Sequence, residues 1–209
     1  MSNATFFITG ISTEVGKTVA SAVITRALGA DYWKPVQAGD LHFTDSDKVA
    51  LWTSDPGLVV HPSAYTLNTP MSPHAAAEID GLSIKLDSMV RPSTENILVI
   101  EGAGGLMVPL NDTDCIIDLI EPKDRVVLVS RHYLGSINHT LLSVAQLQQK
   151  GLKNIYLLFV GNEHPSTESI ILSKTGVPCI GRISEEPEIN AGMVKKYADS
   201  LRPGLISLL

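Results

Sequence analysis

The chain has 209 residues, 44% of them hydrophobic and 18% charged, with a formal net charge of −6 and an isoelectric point near 5.4. That length suits one domain with a large core, and the acidic balance speaks against a nucleic-acid or anionic-membrane surface. Two cysteines, Cys115 and Cys179, are too few and too far apart for a disulfide framework or a zinc site and read as small buried fillers in a reducing compartment. With no charged-then-apolar leader pattern and no apolar run of membrane-spanning length, a cytoplasmic location is expected.

In chain order, residues 4–9 form an apolar strand that runs into Gly10-Ile11-Ser12-Thr13-Glu14-Val15-Gly16-Lys17-Thr18 and then a helix over 17–29. A strand over 31–35 follows, then a helix over 45–53 and a stretch, 54–74, rich in Pro, Ser, Thr and Asn. That stretch reads either as an ordered surface excursion near the site or as a plain connection. Helices are expected over 73–80 and 83–90, a strand over 95–101, a strand over 125–130 and a helix over 136–150. Strand 154–160, helix 166–175, strand 178–181 and helix 189–201 complete the pattern, ahead of a short Pro203-Gly204 tail that is not expected to be an amphipathic helix. Lys195-Lys196, the densest basic spot, reads as a solvated helix face. The strands are apolar throughout, as buried parallel strands are, and they alternate with helices. The expected fold is therefore α/β: a doubly wound, mostly parallel sheet flanked by helices, in one domain over 1–209. Ligands gather at the carboxyl ends of such strands, where the loops 10–18, 101–106 and 161–165 would share one rim.

The strand, glycine turn and Lys-Thr helix start make a phosphate-binding loop. Its backbone N–H groups and the helix N-terminus favour an anion, Lys17 can reach the outer phosphates, and the Thr18 hydroxyl can sit on Mg²⁺. Glu14 is an acid facing a polyanion, and suits a metal-bound water or a substrate amine. Lys34, ahead of Pro35, reads either as a solvated charge or as an ammonium over the γ-phosphate. Asp45-Ser46-Asp47 opens a helix as an N-cap pair; Asp47 can also turn to Mg²⁺ with Asp45 as the cap. Glu101 ends a buried strand and runs into Gly102-Ala103-Gly104-Gly105, where a metal-binding carboxylate and a close backbone approach are expected. Gly135-Ser136 starts a helix whose free N–H groups could hold a carboxylate, although taken alone these residues read first as a plain capped helix. The six histidines show no ligand spacing.

Together these motifs, with Lys34-Pro35-Val36, Ser46-Asp47, Ser72-Pro73-His74, Leu134-Gly135, Ile137-Asn138-His139 and Asn162, resemble in order and spacing the dethiobiotin synthetase family, over residues 4 to about 192. The resemblance implies a P-loop NTPase fold and a homodimeric, Mg-ATP-dependent cyclo-ligase of biotin synthesis. Such an enzyme closes a ureido ring on 7,8-diaminononanoate with CO₂, through a carbamate and a carbamic–phosphoric anhydride. It implies that Glu14, Val15, Gly16, Lys17, Thr18 and Val19 wrap the ATP phosphates. Lys17 and Lys34 would stabilise the transferring phosphoryl group, with Thr13 beside the diamine. Thr18, Asp47 and Glu101 would hold Mg²⁺, with Gly102, Ala103 and Gly104 at the reacting centre. Gly135, Ser136, Ile137 and Asn138 would grip the substrate carboxylate across the dimer. Asn162 would read adenine, supported by Glu163, Ser184, Glu185, Glu186 and Glu188. The chain departs from the family pattern at Ile11-Ser12, at Ala38 (a substrate-side position that often carries a hydroxyl), at Glu163 and at Ser184.

Two rivals fit less well. Partition and division-site switch ATPases carry an extra lysine early in the loop, absent between Gly10 and Gly16, and need a DNA or membrane surface. The synthetase half of cobyrinate amidotransferases comes with a glutaminase domain, for which 209 residues leave no room.

Overall fold

The structure, a computed structural model, describes residues 4–209. Its strands are β1 (Thr5–Gly10), β2 (Asp31–Trp33), β3 (Val36–Ala38), β4 (Val60–His61), β5 (Tyr65–Leu67), β6 (Leu98–Gly105), β7 (Arg125–Arg131), β8 (Ile155–Val160) and β9 (Cys179–Ile183). The helices are α1 (Lys17–Leu28), α2 (Asp45–Thr53), α3 (Pro73–Ile79), α4 (Ser136–Gln149), α5 (Pro165–Thr175) and α6 (Ala191–Ile206). Seven strands form one parallel sheet in the order β4-β2-β6-β1-β7-β8-β9. Phe6, Phe7 and Ile8 on β1 and Val126 to Val129 on β7 are fully buried, which requires helices on the sheet faces. Burying each such side chain contributes about 1.5–3 kcal/mol relative to leaving it in water. α1 packs against α2 and α6, while α4 and α5 pack against each other.

The strand order carries the function. The chain leaves β1 for β2 and β4 on one side, returns to β6 beside β1, and then crosses to β7, β8 and β9 on the other side. The loops after β1 and β6 therefore meet at the reversal point, at the carboxyl edge where ligands bind in such sheets.

Several expectations need correction. Strand 31–35 stops at Trp33, and β3 leaves the main sheet to pair with β5 in a two-stranded sheet. The 54–74 stretch thus supplies β4 and β5, strands of two and three residues, too short to show a period. No α-helix forms over 83–90, only a single 3₁₀ turn at Leu86–Ser88. Ile84 and Met89 are buried while Val90 is 77% exposed, so the segment has no continuous apolar stripe to hold a helix. The C-terminal helix runs on through Pro203 to Ile206. Leu201 and Leu205 are buried, and Arg202 donates to the Ala27 carbonyl at the end of α1 at 2.5 Å. This packing offsets the backbone bond that a proline removes. The cysteines are not buried fillers: Cys115 is half-buried, and Cys179 is exposed at the start of β9, an edge strand.

The loop after β3 is clamped onto the 54–74 excursion. Gly39 has φ +71°, donates to the Leu67 carbonyl at 2.9 Å, and a Cβ there would stand 2.5 Å from Pro70 Cβ. Gly39→Ala is expected to cost about 2–4 kcal/mol through backbone strain and a clash with a rigid ring. Calorimetry should show the melting temperature falling by about 5–10 °C; an unchanged value would mean the two loops are not locked together.

Candidate active site

The turn after β1 is built so that no side chain intrudes on it. A Cβ on Gly10 would lie 2.6 Å from Val15 Cγ2 and 2.8 Å from the Ser12 carbonyl, so this position takes glycine. Glu14 is held at φ +55° and Gly16 at φ +95°, left-handed conformations that orient successive N–H groups into a nest. α1 opens after Gly16 without a side-chain cap, which leaves its first N–H groups for an anion. Lys17 is 7% exposed, and its ammonium donates to the Ser12 carbonyl at 3.0 Å. Burial holds the Lys17 pKa down at about 8, against the opposing pull of Glu101 and with a push from Lys34.

Glu101, at the middle of β6, has no exposed surface. Its Oε1 accepts from Thr18 Oγ1 at 2.9 Å and from Lys34 Nζ at 3.0 Å, and its Oε2 accepts from the Tyr32 hydroxyl at 2.9 Å. Lys34 is likewise buried and reaches Asp45 Oδ2 at 2.6 Å. Burial alone would lower the Lys34 pKa, but the two carboxylates outweigh it and leave the ammonium above its ordinary value. Burial pushes Asp45 upward, yet Lys34 and then Lys48 bring its carboxyl below the usual range. Gln37 fixes the start of α2, accepting from the Asp45 N–H at 3.3 Å while donating to the Gly39 carbonyl at 3.0 Å.

The expected division of labour at the start of α2 is reversed. Thr44, not Asp45, is the N-cap; Asp47 completes a capping box with it, exposed, its pKa lowered by the Thr44 hydroxyl and N–H. Asp45 is the carboxylate that faces inward to Lys34. A one-residue shift in the cap rotates each following side chain by about 100° round the helix, and Thr44-x-x-Asp47 is the capping signal that reveals it.

These residues line a cleft of about 930 Å³ at the carboxyl edge of the sheet. It brings together Thr13, Glu14, Gly16, Lys17, Thr18 and Val19 from the loop and α1, Lys34 and Ala38 after β2, and Glu101, Ala103 and Gly104 on β6. Ser184, Glu185 and Glu186 after β9 close one end. Val15 is packed in the core, and Gly102 lies where a Cβ would meet Ile116 and Phe7. Asp47, Asn162, Glu163 and Glu188 do not line the cleft, although Gly161 beside Asn162 does. The start of α4, Gly135 to Asn138, also stands outside it, next to the fully exposed Leu134. The sequence reading passed over Tyr32, Gln37, Lys48 and Arg131, and gave Asp45 only the role of helix cap.

The wall carries Lys17, Lys34, Lys48 and Arg131 against Glu14, Asp40, Asp45, Glu101, Glu185 and Glu186. An excess of carboxylates in a phosphate-binding cleft fits a divalent cation. Among the described residues there is no group of three or more His, Cys, Asp or Glu able to hold a metal alone. The Thr18 hydroxyl beside Glu101 nevertheless suits Mg²⁺, which takes one or two carboxylates and completes its shell with phosphate oxygens and water.

Comparison with known proteins agrees with this geometry. Residues 4–192 match a family model described as an AAA domain. The ATP-dependent dethiobiotin synthetase BioD of Christiangramia forsetii is 56% identical over 97% of this chain and 98% of its own length. Its counterpart from Cytophaga hutchinsonii is 47% identical over 94% of this chain and 96% of its own. A ParA family ATPase from Chlorobium tepidum has a similar fold, with a TM-score of 0.63, 13% identity and coverage of 98% of this chain and 99% of that one.

Because the Lys17 ammonium is disfavoured by burial, its cost to folding is present in full below pH 8 and is relieved as pH rises from about 8 towards 10.5. Lys17→Met is expected to stabilise the fold at neutral pH by on the order of 1–3 kcal/mol while abolishing tight nucleotide binding. An anion beside Lys17 favours the ammonium, so nucleotide binding at pH 8–9 should take up a proton, measurable by calorimetry in buffers of different ionisation enthalpy. A destabilised Lys17→Met, or binding without proton uptake, would contradict this reading.

Proposed function

Since this chain belongs to the ATP-dependent dethiobiotin synthetase family, we propose that it works as a single-domain subunit of a cytoplasmic homodimer, closing a ureido ring on 7,8-diaminononanoate with CO₂ and Mg-ATP. The observation that carries the reading is the buried Glu101 cluster, which sets the Lys34 ammonium and the Thr18 hydroxyl beside Lys17 at the mouth of a phosphate loop.

The chemistry follows from those groups. One amine takes up CO₂ as a carbamate, a carbamate oxygen attacks the γ-phosphate of ATP, and ADP departs. The second amine then attacks the anhydride carbon, closing the ring and expelling phosphate. The loop N–H groups and Lys17 hold the phosphates. Lys34, freed of solvent and kept cationic by Glu101 and Asp45, faces the charge that develops on the transferring group. Thr13 and Ala38, which both line the cleft, are proposed to face the diamine. The cation supplies charge neutralisation on the phosphate oxygens; Thr18, Glu101 and Asp47 are its proposed ligands. For Asp47 this means leaving an exposed capping box with Thr44, at a cost of about 1 kcal/mol. Asn162 is proposed to read adenine with Glu163, Ser184, Glu185, Glu186 and Glu188. The Gly135–Asn138 helix start, which stands clear of its own cleft, is proposed to serve the partner's cleft by binding the substrate carboxylate.

Incubation with Mg-ATP, labelled bicarbonate and the diamine should yield an acid-stable labelled cyclic urea together with phosphate. Phosphate release that ignores the diamine and bicarbonate would overturn the assignment. Lys34→Ala is expected to lower turnover by about 10²–10³-fold, the usual loss for one transition-state donor. Titrating Mg²⁺ separates the two aspartates. Asp47→Asn should raise the metal requirement about tenfold, a loss of about 1.4 kcal/mol, while Asp45→Asn should lower turnover through Lys34 at an unchanged requirement. The opposite pattern would transfer the ligand role to Asp45.

A further inference from the structure

One carboxylate ties together four elements at the end of the cleft formed by the loops after β8 and β9. Glu168, in the first turn of α5, accepts from His132 Nε2 at 2.8 Å and from the His164 N–H at 3.0 Å, and it pairs with the Arg182 guanidinium on β9. Arg182 in turn donates to the carbonyls of Gly161 and Asn162 at 3.3 and 3.4 Å and lies over the Phe159 ring. His132 packs against Phe159 and His164, with ring centroids 5.4 and 5.9 Å apart. The loop 161–164 is thus held at its first two carbonyls and its last N–H by two side chains that bind each other. Gly161, at φ +104°, is the part of that loop that lines the cleft.

Fixing two successive carbonyls fixes the peptide plane between them, and with it the direction in which Asn162 leaves the chain. Arg182 Nη1 meets both carbonyls while Nη2 pairs with Glu168, so the planar fork ties the loop to its anchor in one fixed geometry, which a point ammonium does not impose. Hydrogen-bond reading of a base tolerates errors of only about 0.5 Å in its donors and acceptors. We infer that Arg182 and Glu168 are positioning residues for base selection: they set the Gly161–Asn162 backbone from which the chain distinguishes ATP from other nucleoside triphosphates. The inference rests on the proposed reading of adenine by Asn162.

The test measures Kd for ATP and GTP by calorimetry, and kcat and KM for both with diamine and bicarbonate. In Arg182→Met the preference for ATP over GTP should fall about tenfold, or about 1.4 kcal/mol, with KM for ATP rising by more than kcat falls. Glu168→Gln should move the preference in the same direction, and it carries the test if Arg182→Met does not fold. Arg182→Lys should recover part of the preference. A cluster that only stabilised the fold would lower the melting temperature and leave the ATP-to-GTP ratio intact, which overturns the inference. Asn162→Ala separates the two levels. If it erases the preference while Arg182→Met and Glu168→Gln do not, the inference fails and base reading stands. If it is silent, or if the unaltered enzyme binds ATP and GTP equally, both fail. The Kd values report on this even if no cyclic urea forms.

Discussion

A carboxylate with no exposed surface, Glu101, organises the cleft. A buried charge of this kind is tolerated only when its lone pairs are matched by donors, and Glu101 receives three, from Tyr32 on β2, Thr18 on α1 and Lys34 beyond β2. The electrostatic demand of one side chain thereby fixes the first turn of α1 and the chain after β2 relative to the central strand. Lys34 answers the same demand in reverse. Deep burial would neutralise it, and Glu101 and Asp45 keep it protonated. Lys17, one shell out, has no carboxylate at hydrogen-bond distance and sits at about 8. The two lysines are therefore chemically distinct although both belong to one phosphate site.

Much of the fold was legible because its strands are long apolar runs. β1, β7 and β8 carry no polar face, and that pattern has one common solution, a parallel sheet under helices. The phosphate loop was legible because chemistry restricts it to glycine at Gly10 and Gly16. Elements that depend on distant partners were not legible. β3 and β5 exist only because each pairs with the other, and neither is long enough to show a period. α6 passes through Pro203 because Leu201 and Leu205 bury and Arg202 finds the Ala27 carbonyl, contacts that lie 175 residues away in the chain. The turn at 83–90 failed as a helix for want of an apolar stripe.

At the site, residue types were easier to read than directions. Lys17, Lys34, Thr18 and Glu101 converge as their motifs suggested, because strand ends and a helix start leave little freedom. Asp45 and Asp47 could not be told apart from their spacing alone, since the position of the cap decides which of them points inward. Tyr32 was invisible: a buried tyrosine on a strand resembles any other core aromatic until its hydroxyl is seen against Glu101. Arg182 and Glu168 were likewise ordinary charges in sequence, brought together only by the packing of α5 against the sheet.

The pairing of Lys34 with two carboxylates also bears on which anions suit the cleft. Inside the cleft Lys34 is already compensated by two acids, and the acids of the wall outnumber its cations. A lone inorganic anion must therefore displace an intramolecular partner to reach Lys34, and it brings no countercharge of its own. Around Lys34 a bare phosphate or sulfate is consequently a poor match, and an anion that arrives with its own divalent cation is the better one.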